Sequence, residues 1–249
     1  MTMTNQTIEA LGRLRLEGMI DALEQQSRSS DFLTLGFDER LSHLVTAEMT
    51  YRDERRMERL LRAAKLRSGA SVESLDFRAS RGLDRSQVLS LASANWVRNH
   101  DQVAVLGPTG VGKTYVACAL GHAAIRQGHS ALYLRYPRML EELGIARGDG
   151  RLARLMNAWS KVEVLILDDF LIRPISPDAA SDTLEVIEDR HGLRSTILTS
   201  QLPVANWYAS IGDPTIADAL LDRLTTNLHR IELNGESMRK VVQSPDANG

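Results

Sequence analysis

Residues 107 to 114 read Gly107-Pro108-Thr109-Gly110-Val111-Gly112-Lys113-Thr114 and fit G-x-x-x-x-G-K-[ST] at every fixed position. Glycines at 107, 110 and 112 let the backbone curl, so that N–H groups along the loop turn towards phosphate oxygens. The N-terminus of a following helix adds a favourable field for anions. Lys113 is expected to reach the β- and γ-phosphates. Thr114 is expected to ligate Mg²⁺ through its hydroxyl. The chemistry these types can do at this spacing is the binding of ATP-Mg²⁺.

A second group lies downstream. Val164-Leu-Ile-Leu-Asp168-Asp169 is an apolar run that ends in two carboxylates. Asp168 is placed to hold Mg²⁺ or its waters. Asp169 is placed to orient and polarise an attacking water. Asp is one methylene shorter than Glu, roughly 1.5 Å, which predicts slow turnover or help from a partner. Ser195-Thr-Ile-Leu-Thr-Ser200-Gln201 ends in polar residues, and Ser200 or Gln201 is expected to touch the γ-phosphate or the water. Arg223, in Leu220-Leu-Asp-Arg-Leu, fits a finger reaching a neighbouring subunit's γ-phosphate. Arg239 is a weaker candidate for that role. Arg135, Arg138, Arg147, Arg151 and Arg154 cluster in an insertion that would track a phosphate backbone. Glu141, Glu142 and Asp149 partly offset them.

These residues must be positioned by a parallel sheet. Gln102–Leu106, Ala131–Arg135, Val162–Leu167, Ser195–Thr199 and His229–Leu233 read as strands. Between them, Lys113–Gln127, Pro137–Ile145, Arg151–Trp159, Pro177–Arg190 and Ile216–Leu224 read as helices. Strands alternating with helices predict an α/β, doubly wound parallel sheet covered on both faces. Ser86–Trp96 reads as one helix in a lead-in that begins near Phe77. Residues 1–70 carry helical periodicity at Leu11, Leu14, Met19, Ile20 and Leu23. They predict a helical N-terminal domain, joined at Ser68-Gly69-Ala70-Ser71 to an ATPase domain over 71–249. Arg52–Arg62 reads as a strongly charged helix with i, i+4 ion pairs.

Composition bounds the rest. The chain has 249 residues, a formal net charge of -2 and one cysteine, Cys118. No global positive field draws in nucleic acid, so any such contact must be local. One cysteine excludes an intrachain disulfide and a cysteine metal cluster. Six histidines lack ligand spacing. Apolar runs fall far short of the ~20 residues of a membrane helix. The N-terminus lacks a leader pattern, which predicts a cytoplasmic protein without membrane contact. Cys118, Trp96, Trp159 and Trp207 read as core residues.

Further blocks give the chain a family likeness. Ala146-Arg-Gly-Asp-Gly-Arg, Thr199-Ser-Gln-Leu-Pro, Ile211-Gly-Asp-Pro-Thr-Ile-Ala-Asp, Leu221-Asp-Arg-Leu and Gly235-Glu-Ser-Met-Arg-Lys follow the P-loop in order. With them the chain resembles the IstB-like ATP-binding proteins, transposase helpers in the AAA+ clade that includes the helicase loader DnaC. The likeness runs from about Leu11 to Lys240. It implies an ATPase that forms a homo-oligomer on duplex DNA when ATP is bound, deforms that DNA, and recruits and stimulates a transposase. It implies that residues 1–70 are an adaptor, that Arg223 acts in trans and that Ser200–Gln201 is the sensor. One departure is Leu171, where the family commonly has Gly after the two aspartates. A left-handed backbone costs a non-glycine residue roughly 1–2 kcal/mol, so a differently shaped loop is expected. No lid helix is expected after Lys240. The competing readings are a DnaC-like helicase loader, a small-molecule P-loop kinase, and a nucleotide-gated binding protein with negligible turnover.

Overall fold

The computed structural model describes residues 3–238. Arg239 and the stretch after Lys240 lie outside the described residues. The chain divides into two compact units, Met1–Arg59 and Leu60–Gly249.

The first unit holds α1 (Met3–Arg13), α2 (Glu17–Arg28), a 3₁₀ turn (Ser30–Thr34) and most of α3 (Phe37–Ala64). A Cβ added at Gly18 would meet Ala47 O at 2.7 Å, so the glycine is what lets α2 and α3 approach. Buried polar groups complete this contact. Gln26 donates to Arg40 O (2.9 Å) and accepts from Arg40 Nε (3.1 Å). Glu48 accepts from the Met19 N–H (3.2 Å) and from Arg52 Nε (2.6 Å).

In the second unit a lead-in carries α4 (Arg85–Ala92) and α5 (Asn95–Arg98). The single helix expected over Ser86–Trp96 is therefore two. Ala94 takes φ 57° and breaks it, and the Trp96 indole N–H donates back to Leu91 O (2.8 Å). Then follow β1 (Gln102–Leu106), α6 (Lys113–Arg126), β2 (Ala131–Arg135), α7 (Tyr136–Gly148), α8 (Leu152–Ser160) and β3 (Val164–Asp168). The chain continues through α9 (Pro177–Glu188), β4 (Ser195–Ser200), α10 (Trp207–Ile211), α11 (Pro214–Thr225) and β5 (Leu228–Glu232). The helix α10 had no counterpart in the sequence reading. Sharp starts are set by chemistry on the chain. Ser176 before Pro177 accepts from Ala179 N, and Asp213 before Pro214 accepts from Thr215 N and Ile216 N.

The five strands are all parallel, in the order β2-β3-β4-β1-β5. Alternate strand residues feed opposite faces. Val103, Val105, Val164 and Ile166 join one apolar cluster with α4 and α6. Ala104, Leu106, Leu165 and Leu167 join another with α7 to α11. Leu60, Leu61, Ala64 and Ala70, around the end of α3, belong to the first cluster. Among the described residues no helix is long and apolar enough to cross a membrane.

Candidate functional site

The strand order fixes how the site is built. The P-loop leaves β1, but Asp168 ends β3, and β4 lies between them. β4 holds both neighbours: on the β3 side the Thr199 hydroxyl donates to Asp168 Oδ1 (2.6 Å) and accepts from the Asp169 N–H (3.1 Å). The P-loop is held from β4 by Gly107 N to Ser200 O (3.1 Å).

The loop conformation needs its glycines. Gly107, Gly110 and Gly112 have φ of 142°, 87° and 98°. A Cβ at Gly107 would lie 2.1 Å from Leu233 O, and one at Gly110 would lie 2.2 Å from Ser237 Oγ. The segment after β5 thus lies against the loop, and Met238 N donates to Gly110 O (3.0 Å). Beneath Gly112 runs Arg81. It is 6% exposed and donates to Val111 O (3.1 Å) and Asp76 O (3.0 Å).

Lys113 Nζ donates to Pro108 O (2.8 Å), across the curl of its own loop. Thr114 Oγ1 donates to Asp168 Oδ1 (2.8 Å). The two oxygens expected to hold Mg²⁺ thus already touch, and both are the hard donors such an ion takes. Asp168 is fully buried, and its other oxygen accepts from the Tyr133 hydroxyl (2.6 Å). Arg67 NH1 stands 3.8 Å from that same oxygen. Burial and the bond to Asp168 push the Tyr133 hydroxyl upwards from its usual range, so it stays a donor. The hydrogen bond to Tyr133, with the field of Asp168, raises Arg67.

Asp169 leaves the strand at φ 60° and is paired with Arg135 Nε (3.0 Å). Leu171 then adopts φ 50° with no exposed surface. The loop therefore takes the left-handed step without a glycine. Burying the leucine side chain, worth about 1.5–3 kcal/mol, offsets the strain of roughly 1–2 kcal/mol.

A cavity of about 1060 Å³ opens over these groups, lined by Thr109, Gly110, Gly112, Lys113, Thr114, Asp169 and Gln201 among others. The two sensor candidates separate here. Gln201 faces the cavity, whereas the buried Ser200 hydroxyl donates to Phe170 O (2.9 Å). Arg223 is not among the lining residues; it pairs with Glu188 and donates to Ala219 O (2.7 Å). Of the clustered arginines, Arg147 pairs with Asp182 and Arg151 makes two bonds to Asp149 (2.8 and 2.6 Å). Arg135 and Arg138 line a separate cavity beside Tyr133, and Arg154 is exposed. Cys118 is buried in the core, and burial raises its thiol. Trp96, Trp159 and Trp207 are buried as expected.

Sequence reasoning missed Arg67, Arg81, Tyr133, Thr199 and Ser237. Only Thr199 carried a signal, as part of the polar end of the Ser195–Gln201 segment. The others come to the site through chain segments distant in sequence.

With the geometry in place, comparison with known proteins decides the family. The profile of the family described as IstB-like ATP binding protein matches residues 9–245. The chain belongs to that family. It is 47% identical over 234 residues to a protein of Sinorhizobium fredii named as an insertion-sequence ATP-binding protein, covering 94% of this chain and 96% of the relative. It is 50% identical over 213 residues to a protein of Pseudomonas fluorescens named as the ATP-binding protein of insertion sequence IS1162, covering 85% and 92%. Among solved structures it is similar to the DnaC helicase loader. That likeness has a TM-score of 0.58 at 18% identity, over 68% of this chain and all of the other. It establishes the fold: a P-loop α/β domain of the type found in the DnaC helicase loader.

Proposed function

We propose that this IstB-family protein binds and hydrolyses ATP as a helper of DNA transposition, assembling on duplex DNA and engaging a transposase. The observation that carries the reading is the meeting of two separate segments, Lys113–Thr114 and Asp168–Asp169, at one P-loop cavity, where Thr114 bonds to Asp168. The insertion-sequence context of the relatives supports the transposition role over a helicase loader or a small-molecule kinase.

Thr114 and Asp168 would hold Mg²⁺, which when bound neutralises charge on the β- and γ-phosphates. Lys113 moves from Pro108 O to the phosphates, exchanging one acceptor for a charged one. The loop N–H groups from Gly107 to Thr114 bind phosphate oxygens, and the glycines keep that backbone accessible. Asp169 accepts the proton of the attacking water, held by its N–H bond to Thr199. Gln201 orients the same water. Arg223 gives up Glu188 and reaches the γ-phosphate of a neighbouring copy, so that turnover depends on assembly.

The test is the mass of the protein by light scattering, with and without ATP-Mg²⁺ and duplex DNA. Growth that needs both ligands supports the reading. A monomer under every condition removes the assembly and the role of Arg223, and leaves a P-loop ATPase.

A further inference from the structure

Four cationic side chains, Lys65, Arg67, Arg135 and Arg138, line one cavity of about 440 Å³ at the C-terminal end of β2, and Glu142 is the only acid among its lining residues. Lys65 and Arg138 make no ion pair among the described residues, and both are exposed. The other two stand on the wall shared with the nucleotide cavity, where Arg67 faces Asp168 and Arg135 holds Asp169. Tyr133, whose hydroxyl is spent on Asp168, also lines the basic cavity.

This pattern differs from the rest of the basic insertion. Arg147 and Arg151 each already hold a carboxylate, Asp182 and Asp149. At the end of β2 the balance is reversed, with cations in excess around a concave space large enough to admit a phosphate group.

We propose that this cavity is a phosphodiester site, which takes a backbone phosphate of the duplex DNA. The inference rests on the DNA-binding reading above and narrows it to Lys65, Arg67, Arg135 and Arg138. Its chemistry is sequence-independent: cations meet a non-bridging phosphate oxygen, and counterions are released. A phosphate there also competes with Asp168 and Asp169 for Arg67 and Arg135. DNA and nucleotide would then share two arginines across one wall.

The experiment uses the full chain as wild type and as Lys65→Ala, Arg138→Ala and Arg151→Ala, all exposed positions. Anisotropy of a labelled random-sequence duplex is titrated at several KCl concentrations, with a non-hydrolysable ATP analogue and Mg²⁺ present. A fluorescent ATP analogue is titrated in parallel without DNA. Loss of one phosphate contact should reduce the slope of log K against log[KCl] by about 0.9 in Lys65→Ala and in Arg138→Ala. Arg151→Ala should keep the wild-type slope, and all three should bind the ATP analogue as wild type does. Wild-type DNA binding with an unchanged slope in both cavity variants would overturn the site and leave the DNA reading standing. Weakened ATP-analogue binding at an unchanged DNA slope would overturn it too, by giving the cavity to the nucleotide. No DNA binding by the wild type would overturn both.

Discussion

Among the described residues of the helical unit the buried ones are Gly18, Ala22, Gln26 and Glu48, two of them polar. In the α/β unit every residue of β1, β3 and β4 is buried, and Trp207, Phe170 and Tyr136 pack as touching rings at 4.8 and 5.1 Å. The helical unit leaves Leu33, Phe37, Leu14 and Met49 more than 60% exposed. A unit that buries so little apolar surface has little stability of its own to spare. The α/β unit holds a rigid site on strand ends, while the helical unit displays side chains and contains none of the chemistry. The difference teaches that rigidity is concentrated where atoms must be held to a fraction of an ångström.

Four substitutions sharpen or break this contrast. The largest effect is expected at Asp169→Asn, which should slow single-turnover hydrolysis by about 10²–10⁴-fold while ATP-analogue binding is kept. Retained turnover would pass the role of base to another group. Next, Trp207→Ala removes a fully buried ring that packs on Phe170 and donates to Leu202 O (3.2 Å). Urea unfolding of the α/β unit should show a loss of about 3–5 kcal/mol.

A smaller loss, about 1.5–3 kcal/mol of nucleotide binding, is expected for Lys113→Ala, because a charge-assisted bond to phosphate is removed. Equilibrium titration with a fluorescent ATP analogue measures it, and circular dichroism should show both units folded. The smallest effect is expected at Phe37→Ser on α3. That side chain is 77% exposed, so unfolding free energy should stay within about 0.5 kcal/mol. A loss approaching that of Trp207→Ala would break the contrast, and would mean that Phe37 is covered in the working protein.

Much of the α/β unit was legible because its signals are local. The P-loop, the Val164–Asp168 run and the Ser176-Pro177 helix start each lie within a few residues, and the strands fall within two residues of their expected bounds. The break at Ala94 was not legible, since nothing in its type asks for a left-handed angle. At Leu171 the backbone preference was legible, but the burial that offsets the left-handed angle was not. Ser200 and Gln201 were indistinguishable until the strand's direction into the core was known.

The sequence by itself determined the phosphate loop, the paired carboxylates, the parallel α/β class and the family, because these are set by residue type at fixed spacing. The tertiary structure alone decided which strand lies between β1 and β3, and hence that Thr199 holds Asp168 and Asp169. It alone decided that Arg67, Arg81 and Tyr133 converge there, and that Arg147 and Arg151 are spent on Asp182 and Asp149. Those facts depend on strand order and on contacts between distant segments. A long-range contact is chosen by the packing of the whole unit, which no short window of sequence encodes.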